Sequence, residues 1–259
     1  MQLLIDLGNT RLKWTTLAAD AVPERGAFAH AGPEQGDRDV SAELDREWAA
    51  LPRVQNIYIA SVAPCELDRE IDAFLRRRFG IGAEFVHSPA LALGIRNAYA
   101  EPQRLGVDRF LGLAALHATQ ARAQVLVGIG TAMTLDALGS DGVHLGGWIV
   151  PSPALMRQSV LTRTARVGVA DGERVEFADN TADALRSGSL YAASGAVERF
   201  CANAARRFNE WPAVVLTGGG ADEIAPLMPG AERRSDLVLQ GLALWASAAQ
   251  SPEIARGTQ

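Results

Sequence analysis

Apolar residues arrive in short strand-like runs separated by longer stretches with a helical period, and this grammar occurs twice along the chain. LLIDLG, residues 3–8, is a continuous apolar run broken by one carboxylate, and RLKWTTLA behind it alternates well enough to be its hairpin partner. Residues 21–45 are rich in Gly, Pro, Ala and charge without a sustained period, which predicts a loop with an irregular strand and helix. VQNIYIASVAP, residues 54–64, predicts a buried strand, and CELDREIDAFLRRRFG has helical spacing with Gly80 as its stop. AEFVH predicts a further strand. After a Gly/Pro-punctuated loop, GVDRFLGLAALHATQ keeps a helical period from Phe110 to His117.

The second half starts the same way. QVLVGIGTAMTLDAL predicts two strands joined at Gly128 to Thr131, and GVHLGGWIVP predicts a third. TADALRSGSLYAASGAVERFCANAARRF is a long helix pattern, PAVVLTGGGAD a strand with a glycine turn, and SDLVLQGLALWASAA a final helix. Two halves that repeat hairpin, strand and helix predict a duplicated α/β unit, residues 1–120 and 121–259, with a ligand in the cleft between the copies.

Composition narrows the class. Apolar residues make up 48% and charged residues 21% of the chain, as expected of a folded protein rather than a disordered one. A net charge of -5 argues against gripping nucleic acid by general electrostatics, so an anionic ligand would need local cations. Cys65 and Cys201 lie far apart without metal-ligand spacing and are expected to be reduced core residues. The N-terminus enters MQLLIDLG with no basic region and no long apolar segment, so a cytoplasmic protein with no membrane partner is expected.

Three turns carry candidate chemistry. The first is Asp6-Leu7-Gly8-Asn9-Thr10-Arg11-Leu12-Lys13. Backbone amides at a glycine turn can cradle phosphate oxygens, and a strand-end carboxylate can hold Mg²⁺. Turns favour these residues anyway, and Asp6 could equally cap the backbone. The second, Gly128 to Thr134, follows a buried strand, and its small residues allow close approach to a ligand; Asp136 on the next strand reads as a satisfied hairpin carboxylate. The third, Leu216-Thr-Gly-Gly-Gly-Ala-Asp222, offers a flat glycine surface for a base or ribose, or is simply a flexible turn. Neither a Walker A loop nor the GxGxxG dinucleotide spacing is present. The three follow one another in the order of the acetate and sugar kinase, Hsp70 and actin superfamily: phosphate turn, phosphate turn, adenosine turn.

Between the first two turns lies Asn97-Ala-Tyr99-Ala-Glu-Pro102-Gln-Arg-Leu105-Gly106-Val107-Asp108-Arg109, a YxxPxxLGxDR pattern. With DLGNTRLKW, GIGTAMTLD, GGWIVPSPALM, NTADALRSG and LTGGGAD, it resembles type III pantothenate kinase, the group that includes Bvg accessory factor homologues. The resemblance implies duplicated ribonuclease H-like (actin-like ATPase) domains. It also implies ATP-dependent phosphorylation of the pantothenate 4′-hydroxyl, the first step of coenzyme A synthesis, by a homodimer with Mg²⁺. On matching positions it places ATP phosphates at Asp6 to Lys13, with Asp6 near the metal, and at Thr131. It places pantothenate at Tyr99, Gly106, Val107, Asp108, Arg109 and Thr181, with Asp108 as general base. That role is chemically sensible: a primary alcohol is a poor nucleophile, and a carboxylate within reach can orient it and accept its proton. Arg109 could pair with the substrate carboxylate through its planar fork. Without the pattern, an Asp-Arg pair opening a helix reads as capping and dipole compensation.

One position departs from the family. Many members carry an aspartate two residues before the GT of the second turn, where it helps bind K⁺ or NH₄⁺; here that residue is Gly128. In the long helix, Gly188, Ala192 and Gly195 allow close helix contact, either at a dimer interface or within the domain. His30, His87, His117 and His144 show no ligand spacing and read as structural or surface residues. The rival readings are a non-catalytic regulator acting through a protein partner, and a superfamily kinase for another small acid or sugar.

Overall fold

The first hairpin sets a pattern that the chain repeats. In the computed structural model, which describes residues 1–18, 22–31, 40–163 and 171–250, β1 (Gln2–Leu7) runs antiparallel to β2 (Arg11–Leu17), with Asp6 opposite Lys13 and Leu7 opposite Leu12. β1 is buried on both faces, as an apolar run broken only by Asp6 predicts, whereas β2 alternates and turns Leu12, Trp14 and Thr16 inward. β3 (Arg25–Ala29) pairs antiparallel with β2, β4 (Asn56–Ser61) parallel with β1, and β5 (Glu84–Val86) parallel with β4. The sheet order is β3-β2-β1-β4-β5.

Helices α1 (Val40–Glu47) and α2 (Cys65–Phe79) bury Leu44, Ile71, Phe74 and Leu75 in one cluster with Leu3, Ile5, Ile57 and Ile59. Trp48, fully buried, stands edge-on to Trp14 at 6.1 Å and tilted against Phe74 at 6.0 Å; full burial of such a ring contributes about 2–3 kcal/mol. α2 stops at Gly80, whose φ of 75° lets its N–H return to the Arg76 carbonyl, while Arg76, Arg77 and Arg78 face the negative helix end. Of residues 21–45, the strand and helix appear as β3 and α1, and residues 21 and 32–39 lie outside the described residues. Both cysteines are free, but only Cys201 is buried. Cys65 is exposed, because it opens α2 on the solvent side rather than facing the sheet.

After β5 comes a long connection containing the small hairpin β6 (Leu91–Ala92) and β7 (Ile95–Arg96) and a 3-10 turn at Pro102–Arg104. It leads into α3 (Val107–Thr119). The helix starts before Phe110, where the apolar period begins, because the Phe110 N–H already bonds to the Gly106 carbonyl at 3.1 Å.

The second sheet repeats the first. β8 (Gln124–Ile129), β9 (Ala132–Leu138) and β10 (His144–Pro151) form the antiparallel part; β11 (Ala213–Thr217) and β12 (Glu232–Arg233) extend it in parallel, in the order β10-β9-β8-β11-β12. The hairpin turn is only Gly130–Thr131, since Gly128 lies within β8 opposite Thr134. α4 (Pro153–Arg163), the long α5 (Thr181–Phe208) and the one-turn α6 (Ala221–Ile224) accompany this sheet, and Leu190, Ala193, Val197 and Cys201 of α5 share a core with Val125, Val127 and Leu135.

The chain divides into two compact units, Met1–Ala118 joined by the stretch from Leu237, and Thr119–Asp236. α7 (Leu237–Ala249) therefore belongs with the first sheet, where it packs on β1, β4 and β2 and its Trp245 Nε1 donates to Glu84 at 3.2 Å. No helix among the described residues is long and apolar enough to cross a membrane.

Candidate active site

In the first unit, the turn between β1 and β2 is closed by the Gly8 N–H donating to the Arg11 carbonyl at 3.0 Å. Leu7 and Leu12 on either side have no exposed surface and peg the turn into the core, so only their main chains can serve a ligand. Asn9 and Arg11 are exposed, while Asp6, Gly8, Thr10 and Lys13 are half-buried. Because Asp6 and Lys13 are directly opposite across the ladder, carboxylate and ammonium share one face of the sheet. A side chain from β3's end also holds the turn: His30 Nε2 donates to the Gly8 carbonyl at 2.9 Å, and the His30 N–H to the Thr10 carbonyl at 3.0 Å.

The same unit gathers Tyr99, Gly106, Val107, Asp108 and Arg109. Asp108 lies in the first turn of α3, where unpaired backbone N–H groups favour a carboxylate. A Cβ at Gly106 would stand 2.5 Å from Asp108 Oδ1, so the glycine leaves the carboxylate its room. Arg109 is only 6% exposed; it donates to the Tyr99 hydroxyl at 3.1 Å and lies 5.8 Å from that ring's centroid, so the cation is held on the aromatic face. Val107 is buried and serves as an anchor for the helix start.

Two further residues fix this connection. Asn97 donates to the Pro89 carbonyl at 3.2 Å and the Pro102 carbonyl at 3.0 Å and accepts from the Tyr99 N–H. Buried Ser88 donates to the Leu105 carbonyl at 2.8 Å. Asn97 was visible only as part of the motif. Ser88 has no sequence signal beyond a lone hydroxyl before a proline.

In the second unit, Thr131 occupies the exposed tip between β8 and β9, and its carbonyl accepts from Ser152 Oγ at 2.9 Å. The triple-glycine turn lies directly on this tip. The Gly220 N–H donates to the Ile129 carbonyl at 3.1 Å, Gly218 adopts φ +93°, and a Cβ at Gly220 would stand 2.5 Å from the Ile129 side chain. The β8–β9 turn and the glycine turn are thus one packed piece. α4 braces it from behind, because Arg157 grips Glu223 of α6 with two bonds of 3.1 and 3.2 Å. A cavity of about 560 Å³, within the usual range for small-ligand sites, is lined by Arg186, Leu190, Asp222, Glu223 and Pro226 beside that turn.

Thr181 is the exposed first residue of α5, whose cap is Asn180 accepting from the Asp183 N–H at 3.0 Å. It belongs to the second unit, whereas Tyr99 and Gly106 to Arg109 belong to the first. Asp136 is fully buried and bonded to His144 Nε2 at 2.9 Å across the β9–β10 hairpin, which makes both structural. Burial, reinforced by Glu198, pushes the Cys201 thiol up to about 11, so it stays neutral.

Comparison with known proteins bears on what this arrangement does. The type III pantothenate kinase family model matches residues 2–203. A type III pantothenate kinase of Xanthomonas oryzae is 44% identical over 250 residues, covering 96% of this chain and 98% of the relative. Among solved structures, a Campylobacter jejuni chain named after the Baf family transcriptional activators matches with a TM-score of 0.59 and 18% identity, over 95% of this chain and 98% of its own. A chain of the PilM–PilN type IV pilus biogenesis complex matches at 0.55 and 14% identity, over 94% and 98%. At such identities the solved structures speak to the fold alone, and the two five-stranded sheets of like strand order agree with the expected duplicated α/β unit.

Proposed function

The chain belongs to the type III pantothenate kinase family, and we propose on that footing that Asp108 is the base of an ATP-dependent phosphoryl transfer to the 4′-hydroxyl of pantothenate, the first step of coenzyme A biosynthesis. The observation that carries this reading is the place of Asp108: first turn of α3, beside a residue with no side chain, next to an arginine clamped on Tyr99. In the proposed step Asp108 accepts the hydroxyl proton as the alcohol oxygen bonds to the γ-phosphorus and the bond to the ADP oxygen breaks. Arg109 and Tyr99 receive the substrate carboxylate, with Gly106 and Val107 shaping the floor and Thr181 adding a hydroxyl. The main chain of Asp6 to Lys13, the side chains of Asn9, Thr10, Arg11 and Lys13, and Thr131 hold the ATP phosphates.

Among the described residues no three His, Cys, Asp or Glu side chains gather into a metal cage. This suits an Mg²⁺ ion carried mainly by nucleotide phosphates and water, with Asp6 as the one protein carboxylate. When bound, the ion neutralises charge on the phosphate oxygens. A monovalent cation held by a side chain at position 128 does not fit these residues: Gly128 offers none, and a Cβ there would stand 2.8 Å from Thr134 Oγ1.

A homodimer through β10, α4 and α5 is part of the proposal. β10 is an edge strand with Trp148 and Ile149 exposed, α4 exposes Leu155 and Val160, and α5 exposes Tyr191. Gly188, Ala192 and Gly195 all face outward, and a Cβ at either glycine would meet nothing within 4 Å, so packing inside the unit does not account for them. A cytoplasmic setting follows from the proposed substrates.

The test is direct. Incubated with ATP, Mg²⁺ and pantothenate, the purified chain should release ADP and form an equal amount of phosphomonoester on the primary alcohol, seen by phosphorus NMR. ADP release without that ester, or no release at all, would overturn the reading.

A further inference from the structure

Both units carry the same fastening in the same place. The residue immediately after the third strand of each sheet reaches back to a main-chain carbonyl in the turn between the first two strands. In the first unit it is His30, directly after β3, whose Nε2 donates to the Gly8 carbonyl at 2.9 Å. A carbonyl only accepts, so this nitrogen carries the proton. In the second unit it is Ser152, directly after β10 and 2% exposed, whose hydroxyl donates to the Thr131 carbonyl at 2.9 Å. Ser152 also accepts the Leu155 N–H at 3.2 Å and so caps α4.

An imidazole and a hydroxyl share little except a donor, and the stretches AFAHAG and IVPSPA are unlike. What repeats is the position of a donor and its target. That target matters for anion binding. A turn cradles phosphate with its N–H groups, and a carbonyl swinging toward the phosphate would repel it. We propose that His30 and Ser152 are positioning residues that hold the carbonyls of the two phosphate turns away from the nucleotide and so keep their N–H groups turned toward it. The inference rests on the kinase reading above, since it needs these turns to bind ATP.

Steady-state kinetics with each substrate varied in turn, on the full chain, test it. Losing this one donor should raise KM for ATP about tenfold in His30→Ala, with KM for pantothenate and kcat at saturating ATP within about twofold. His30→Gln, which restores an N–H near the Nε2 position, should return KM for ATP to within about threefold of the wild type. Ser152→Asp separates the two tasks of that residue, because a carboxylate still caps α4 but cannot donate to Thr131. It should raise KM for ATP about tenfold or more, whereas Ser152→Thr should stay near the wild type. Should His30→Ala fail to fold, the Ser152 pair decides the matter alone. Unchanged KM for ATP in Ser152→Asp overturns the proposal, as does an equal rise in both KM values, which would mean general loosening. A wild-type chain with no ATP-dependent turnover removes the kinase reading and this inference together; an active wild type with indifferent variants removes this inference alone.

Discussion

After the fifth strand of the first sheet the chain spends residues 87–106 reaching its next helix; after the fifth strand of the second it spends only residues 234–236. The two sheets otherwise share strand order, hairpin turn and fastening. The difference separates two kinds of chemistry. What is common to both units is the turn geometry to which the proposal assigns a nucleotide's phosphates, and what distinguishes the first is the side-chain cluster of Tyr99, Asp108 and Arg109, to which it assigns the acceptor.

The comparison can be broken at the long connection. Gly106→Ala would bring a methyl to 2.5 Å from Asp108 Oδ1 and push the carboxylate off its line. Such a misplacement should cut kcat about a hundredfold, with KM for ATP held within about threefold. Comparable losses in ATP binding would mean that the two chemistries are not separable. Next comes the scaffold side. Gly218→Ala would combine a φ of +93° with a collision on the Ile129 carbonyl. It should cost about 2–3 kcal/mol in urea unfolding and weaken ATP binding about tenfold by calorimetry. An unaltered nucleotide affinity would detach the glycine turn from ATP.

Smaller effects sharpen the packing account. With its thiol pushed to about 11 and buried on the core face of α5, Cys201 should stay unlabelled by a disulfide reagent at pH 8 while Cys65 reacts; both should react in denaturant. Labelling of Cys201 in the native chain would mean that the second core opens readily. Smallest of all is the acid limb. Burial works against the Asp72 carboxylate, but the Ala83 N–H and the Arg76 guanidinium outweigh it and hold its pKa below the ordinary value. Its stabilising effect is therefore complete above the ordinary carboxylate range and is lost as pH falls through the lowered value. Asp72→Asn should flatten the acid limb of a thermal-melting profile by less than about 1 kcal/mol, and a steeper limb would reverse that assignment.

The same division explains what could be read from sequence. Side-chain chemistry leaves a pattern, so YxxPxxLGxDR stood out and pointed to residues that lie together. The strands were legible because β1 and β8 are mostly apolar and β2, the hairpin partner of β1, alternates. α4 was not, since PALMRQSVLTR opens on Pro153 two residues after Pro151 and carries Arg157 where an apolar face would be expected. His30 looked like one isolated histidine of four. Its use depends on the β2–β3 register, Arg11 opposite Ala29, which places it under Gly8. Ser152 sat within a recognised stretch, but its target carbonyl is fixed by folding rather than by spacing. Cys65 was misjudged because a small hydrophobe opening a helix can face either way.

Asp108→Asn tests the central claim most directly, through its turnover with pantothenate beside its affinity for MgATP. The substitution keeps the size of residue 108 in the first turn of α3 but removes the proton acceptor. The account predicts turnover reduced about a thousandfold with MgATP affinity within about threefold of the wild type. Turnover within about threefold of the wild type would contradict it.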